Sequence, residues 1–211
     1  MTYADRQEAG AVLAGRLHRY AGRGDVVVLG LVRGGVPVAA QVAHALGLAL
    51  DVLVVRKLGV PWAPEVAFGA LGPGGVVVHN LAVESRLTPS DVAAVTAREA
   101  GELDRRERIY RGDRPPLRLT GCTAIIVDDG LATGATARAA VAVARRMEAA
   151  AVVVAVPVGA PEAVAVLANE ADEVICPLAP RDFGAVSRFY RTFGQVSDAE
   201  VVALLRGAGS G

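Results

Sequence analysis

Lysine is almost absent from this chain: of 22 basic residues in 211, Lys57 is the only one that is not arginine. Composition bias accounts for the overall excess, yet arginine's planar fork suits bidentate contact with phosphate or carboxylate. Net positive charge is missing too, since 22 acidic residues balance the 22 basic ones. No polycationic surface of the kind that holds nucleic acid is expected, and a charged ligand must be met locally. Cysteine is scarce. Cys122 and Cys176 lie far apart and have no metal-ligand spacing with His18, His44 or His79, which excludes a zinc site and a disulfide framework. The cysteines read as small core residues and the histidines as structural or exposed. No apolar run reaches the roughly 18 residues of a membrane span, and MTYADRQEAG lacks the basic start and apolar stretch of a signal peptide. A cytoplasmic protein is the expectation, with the closing GAGSG as a frayed tail of no function.

What the chain does have is aliphatic residue. Hydrophobic types make up 53% of it, enough for one sizeable core, so residues 1–211 read as a single domain with an embellishment. Val-rich runs recur at 25–29, 50–55, 76–78, 123–127, 151–156 and 173–176, mostly without alternation, as in strands buried on both faces. Helical stretches between them make this an α/β protein with a doubly wound parallel sheet. Residues 36–46 form a helix stopped by Gly47. Thr88 caps a helix with Pro89 in its first position, giving one long charged helix or one broken near Gly101. Residues 111–117, RGDRPPL, are a turn, because consecutive prolines cannot continue a helix. Two more helices are expected over 135–149 and 161–169. Aromatics concentrate late: Phe183, Phe189, Tyr190 and Phe193 fall in residues 180–200, which read as a separate element over the core.

The stretch IIVDDGLATGAT, residues 125–136, sets two aspartates beside a small-residue loop suited to anions. In an open parallel sheet, ligands bind beyond the carboxyl ends of the strands, and Asp128 and Asp129 fall at such an end. Gly130, Ala132, Gly134 and Ala135 keep the following loop narrow, and Thr133 and Thr136 add hydroxyl donors, so that a phosphate can approach the backbone at a helix start. Carboxylates instead accept bonds from hydroxyls or hold a divalent cation. A ligand with vicinal hydroxyls near a phosphate, such as ribose 5-phosphate, satisfies both halves. The plainer alternative has Asp128 capping a turn and Asp129 capping the helix. The G-x-G-x-x-G and G-x-x-x-x-G-K-[ST] loops are absent, which argues against a dinucleotide fold and a P-loop.

The order hydrophobic pair, Asp128-Asp129, small-residue loop and Thr133-Gly134-Ala135-Thr136 resembles the binding motif for 5-phosphoribosyl 1-pyrophosphate (PRPP) of type I phosphoribosyltransferases. LVRGGVP, with Arg33, Gly34 and Gly35, is similar to that family's pyrophosphate loop, where a cis peptide is often found, here between Val32 and Arg33. Arg56 and Lys57 follow a strand where several members carry a basic pair. Together with PEVAFGAL and the terminal FGAVSRFYRTFGQVSD, the pattern resembles the broad group of predicted phosphoribosyltransferases whose acceptor is generally unassigned.

The resemblance implies displacement of pyrophosphate from PRPP by a nitrogen nucleophile. Asp128 and Asp129 would hold the ribose hydroxyls, the loop from Ala132 to Thr136 the 5-phosphate, and Arg33, Gly34, Arg56 and Lys57 the leaving group. Mg²⁺ would come with PRPP and lie near the acidic pair. Residues 84–115, with Arg105, Arg106 and Arg108, occupy the place of the family's flexible lid, the alternative being a solvated helix and its turn. Ala132 stands where 6-oxopurine enzymes carry an aspartate, so a different heterocycle is expected. The late aromatics either stack on that ring or form a satellite core or dimer contact, and Glu65 is a possible acid or base. A homodimer is implied by the family. A regulatory protein that keeps the pocket without turnover is the competing reading.

Overall fold

The computed structural model describes residues 2–208. Five parallel strands form the main sheet: β1 (Val26–Leu31), β2 (Ala49–Leu53), β6 (Thr123–Val127), β7 (Ala151–Ala155) and β8 (Glu173–Ile175), in the order β2-β1-β6-β7-β8. Their aliphatic runs are the reason: Ile125, Ile126 and Val127 are fully buried, as a strand covered on both faces requires. Alternate residues serve opposite cores. Val28, Val52, Ile125 and Val127 pack with α1 (Arg6–Arg16), α2 (Gly35–Leu46) and α7 (Asp198–Ala208), whereas Leu29, Ala124, Ile126 and Val154 pack with α5 (Ala135–Arg146) and α6 (Pro161–Leu167).

A second, antiparallel sheet of β3 (Arg56–Val60), β4 (Ala63–Gly72) and β5 (Val76–His79) lies between α5 and the long helix α4 (Pro89–Arg111), after the single turn α3 (Leu81–Glu84). The 76–78 run therefore belongs to this sheet and not to the parallel one. Arg56 and Lys57 open β3 and are not on a free loop. Leu58, Phe68 and Leu71 face the core shared with Val95 and Leu103 of α4, and Ala70 and Val78 face that of Val143.

Local chemistry sets several boundaries. Asp5 caps α1 through the Gln7 and Glu8 N–H groups, Gly47 closes α2 in the left-handed conformation, and Thr88 with Asp91 forms a reciprocal capping box on α4. Helix α4 runs through Gly101 unbroken and ends at Gly112, where buried Arg111 ties it to Asp51 of β2 at 2.6 Å. The aromatics of the C-terminal segment form a third cluster with Tyr3, Ala9 and Val158. Of the expected tail, Gly207 and Ala208 complete α7, and Gly209 to Gly211 lie outside the described residues.

The topology fixes where a ligand can go. The chain leaves β1 toward β2 on one side, and β6 leads to β7 on the other, so the order reverses between β1 and β6. Gly30 pairs with Val127, which sets the loop after β1 beside Asp128 and Asp129. That is the crevice position of an open α/β sheet.

Candidate active site

Two glycines make the contact between these loops. The Val32–Arg33 peptide is cis, in agreement with the resemblance, and Gly34 and Gly35 follow it into α2. A Cβ on Gly34 would overlap the Asp129 carboxylate, and one on Gly35 would crowd Val127 O and Asp128 Cα. Glycine is needed here for close approach.

Asp128 and Asp129 are half-buried neighbours. Burial first, then the charge of Asp129, pushes the Asp128 carboxyl well above the usual range; burial also raises Asp129, against the opposing pull of Arg6. Asp128 Oδ1 accepts the Asp129 N–H at 2.9 Å, so part of the plainer reading holds: Asp128 does cap its own turn. Asp129 caps no helix. The N-cap of α5 is Gly134, at φ 76°, and no side chain bonds from it. Instead, Asp129 Oδ2 takes the Arg6 Nε at 2.9 Å and Nη2 at 2.8 Å, and its carbonyl takes the Tyr190 hydroxyl at 2.6 Å.

The helix starts around the acidic pair share a peculiarity. Helices α2 and α5 begin at Gly34 and Gly134 without side-chain caps and, alone among the described α-helices, have no acidic residue in the first turn. Their positive dipole ends lie at the carboxyl ends of adjacent strands, with the Val36 N–H bonded to Arg33 O at 3.2 Å. Thr133 Oγ1 accepts the Ala135 N–H at a long 3.4 Å, and Ala132, Thr133 and Thr136 are exposed. The loop is narrow and open to a ligand at these residues.

The basic candidates are arranged differently. Arg33 is exposed and stands 3.8 Å from Asp198 at the start of α7, whose other contact is the Tyr110 hydroxyl at 2.7 Å. Arg56 is held by Glu99 of α4, with Nη2 at 2.6 Å and Nε at 2.9 Å from one oxygen. Its side chain is tied to the protein and is not a free arm. Lys57 is exposed and has no ion pair among the described residues. Arg105 and Arg106 both bond Glu102, holding that carboxylate down to about 2. Glu65 is exposed, and His79 bonds Glu84 at 2.6 Å. Phe183 and Tyr190 are buried and Phe189 and Phe193 partly so, packed on one another and on Tyr3 as a satellite core. That segment still touches the site, because a Cβ on Gly130 would strike Val186.

Arg6, Glu99, Asp198 and Tyr190 were not legible as neighbours of these residues. Arg6 precedes Asp129 by 123 positions, and nothing in ADRQEAG marks its partner. Asp5, as a helix cap, was the one local signal that could have placed Arg6 in the first turn of α1.

Among the described residues no group of three His, Cys, Asp or Glu side chains could hold a metal ion, and no helix is long and apolar enough to cross a membrane.

Residues 3–191 match the phosphoribosyl transferase domain family. Over 206 residues the chain is 54% identical to two provisionally named phosphoribosyl transferases of Mycobacterium tuberculosis, from strains CDC 1551 and H37Rv, covering 96% of this chain and 46% of each relative. The chain thus spans about half the length of the curated relatives it matches. The crystal structure of TT1426 from Thermus thermophilus is similar at 44% identity and a TM-score of 0.88, covering 97% of this chain and 98% of that one. The Aquifex aeolicus protein AQ2163, 12% identical with a TM-score of 0.50 over 82% of this chain and 74% of its own, is similar in fold.

Proposed function

The chain belongs to the phosphoribosyl transferase family, and we propose that it displaces pyrophosphate from C1 of PRPP with a nitrogen nucleophile of a heterocycle other than a 6-oxopurine. One observation carries this reading: an acidic pair stands between two uncapped, acid-free helix starts at the ends of adjacent strands. Such a site suits a ligand with a phosphate at each end and hydroxyls between.

The 5-phosphate takes the loop from Ala132 to Thr136 and the start of α5. The ribose 2- and 3-hydroxyls donate to Asp128 and Asp129, both of which must be ionised to accept. The leaving pyrophosphate meets Arg33, the Gly34 and Gly35 N–H groups at the start of α2, and exposed Lys57. Arg56 joins it on release from Glu99. As C1 becomes oxocarbenium-like, these groups act by position and charge, without a covalent step of their own. Two adjacent carboxylates with no third ligand among the described residues suit a Mg²⁺ that arrives with phosphate oxygens, and Asp128 and Asp129 are the residues that would meet it. Bound there, the ion would offset charge on the pyrophosphate.

Exposed Ala132 offers the acceptor no carboxylate, which favours a heterocycle that needs none. The 180–200 segment serves as the hood behind Asp129 and Gly130, with its aromatics supporting the loop. If residues 84–115 close over C1, they move as helix α4, breaking the Arg56–Glu99 pair, and not as a loop. Action in the cytoplasm as a homodimer belongs to the same proposal.

Pyrophosphate release from PRPP and Mg²⁺ with a panel of purines, pyrimidines, pyridines and imidazoles tests it. Release with one acceptor class is expected. PRPP binding without release across the panel would favour a regulatory protein.

A further inference from the structure

We infer that Arg6 is a positioning residue for the ribose site: its guanidinium holds one oxygen of Asp129 so that the other faces the ligand. This rests on the proposed role of Asp129, and it brings in a helix on which no motif residue lies.

The geometry is that of a built-in holder. Helix α1 lies close on α2 because Gly10 has no side chain; a Cβ there would overlap Gln41 and crowd Val38 O. Its first residue, Arg6, is thereby carried to the crevice. Two of its nitrogens, Nε at 2.9 Å and Nη2 at 2.8 Å, take the same Asp129 oxygen, Oδ2. The third, Nη1, donates to Gly194 O at 2.9 Å, and the guanidinium carbon lies 4.0 Å over the Phe193 ring. Only 12% of the Arg6 side chain and 15% of the Asp129 side chain are exposed. A fork fixed on three sides has little freedom left to lose when it orients a carboxylate.

The Asp129 main chain is held as well, since its carbonyl accepts the Tyr190 hydroxyl at 2.6 Å. Both anchors come from outside the β6–α5 loop, one from the first helix and one from the aromatic segment. No side chain donates to Asp129 Oδ1 among the described residues. It is the oxygen left for a hydroxyl. Asp128 has no such holder: its Oδ1 takes the Asp129 N–H, and no cation pairs with it among the described residues. Arg6 is therefore the guanidinium set against a pair of adjacent carboxylates: it holds Asp129 in place and offsets part of the repulsion between Asp129 and Asp128.

The test is calorimetric binding of PRPP with Mg²⁺, of ribose 5-phosphate and of inorganic pyrophosphate to wild type, Arg6→Gln, Arg6→Lys and Phe193→Leu. Arg6→Gln is expected to weaken PRPP and ribose 5-phosphate about tenfold, the scale of one lost charge-assisted hydrogen bond, while pyrophosphate binding stays within about twofold. Arg6→Lys should recover part of the loss, having the charge without the fork. Phe193→Leu should give a smaller loss of the same kind and keeps the test open if Arg6→Gln does not fold. Unchanged ribose 5-phosphate binding in Arg6→Gln overturns the inference, and so does an equal loss for all three ligands, which would mark a general structural role. Failure of wild type itself to bind PRPP overturns the proposed function and this inference with it.

Discussion

Helices α4 and α5 begin in opposite ways. At α4, Thr88 and Asp91 satisfy each other's backbone, Pro89 stands in the first turn, and an acidic side chain meets the positive end of the helix. At α5, Gly134 supplies no side chain, the first turn holds no acid, and the one side-chain bond to its amides is the long 3.4 Å contact from the Ala135 N–H to Thr133. The first arrangement stabilises a helix. The second forgoes that stabilisation, about 1 kcal/mol for a cap and a few tenths more for the acid. A chain that caps α1 and α4 with Asp5 and Thr88 could equally have capped α5. Helices α3 and α6 also lack a side-chain cap but keep an acid in the first turn; α5, beside an acidic pair kept partly from water, has neither, which is what the proposed anion site rests on.

Breaking the site on its acidic side should have the largest effect. Asp128→Asn with Asp129→Asn removes both hydroxyl acceptors, and turnover or PRPP affinity should fall by a factor of about 100 or more, at roughly 1.5–3 kcal/mol per charged hydrogen bond. Circular dichroism should report an unchanged fold. Stability should move the other way. Because burial and mutual repulsion raise the folded-state pKa of Asp128 above its unfolded value, the folded protein binds that proton more tightly. The ligand-free protein therefore gains stability from this group as pH falls through its folded pKa toward the ordinary carboxylate range. Thermal melts of Asp128→Asn across that interval should lack this gain, and at neutral pH the variant should melt no lower than wild type.

The helix comparison itself is broken by giving α5 what α4 has. Ala135→Glu sets an acid in the first turn, where it should help the helix by about 0.3–1 kcal/mol yet weaken ribose 5-phosphate binding about tenfold through repulsion. If melting temperature and affinity rise together, the reading of α5 as an anion site fails. The reverse change is Thr88→Ala, which removes the α4 cap. It should cost about 1 kcal/mol of stability, seen in denaturant titration, and leave ribose 5-phosphate affinity unaltered. The smallest effect is expected from Glu102→Gln: it frees exposed Arg105 and half-buried Arg106, and solvent screens surface pairs of this kind. Neither melting nor affinity should shift measurably.

The same contrast governs what can be read from the amino-acid order. The start of α4 is legible in Thr88-Pro89 because its partners lie within three residues, and β6 with its loop is legible because a buried strand, an acidic pair and a small-residue turn are contiguous. The β3–β4 hairpin is not. RKLGVPWAPEVAFGALG mixes Pro61, Pro64 and glycines with strands whose burial is irregular, so its signals read as loop although Arg56 and Lys57 sit in β3. Helix α7, like α4, starts on a local signal, since Ser197 and Glu200 each bond the other's backbone ahead of Val201. The partners Arg6–Asp129 and Arg56–Glu99 join segments 123 and 43 residues apart, and no local periodicity encodes such pairs. The chemistry of the cradle is thus local in sequence, while its bracing comes from across the fold.

In the proposed function the acidic pair and the open end of α5 bind two parts of one molecule. Calorimetric titration of inorganic phosphate and ribose 5-phosphate into wild type and into the Asp128→Asn, Asp129→Asn double variant tests this most directly. Ribose 5-phosphate should bind wild type more tightly than phosphate does, and the advantage should vanish in the variant while phosphate affinity holds or rises. Equal affinities in wild type, or an advantage that survives the double substitution, would mean that the acidic pair does not hold the ribose.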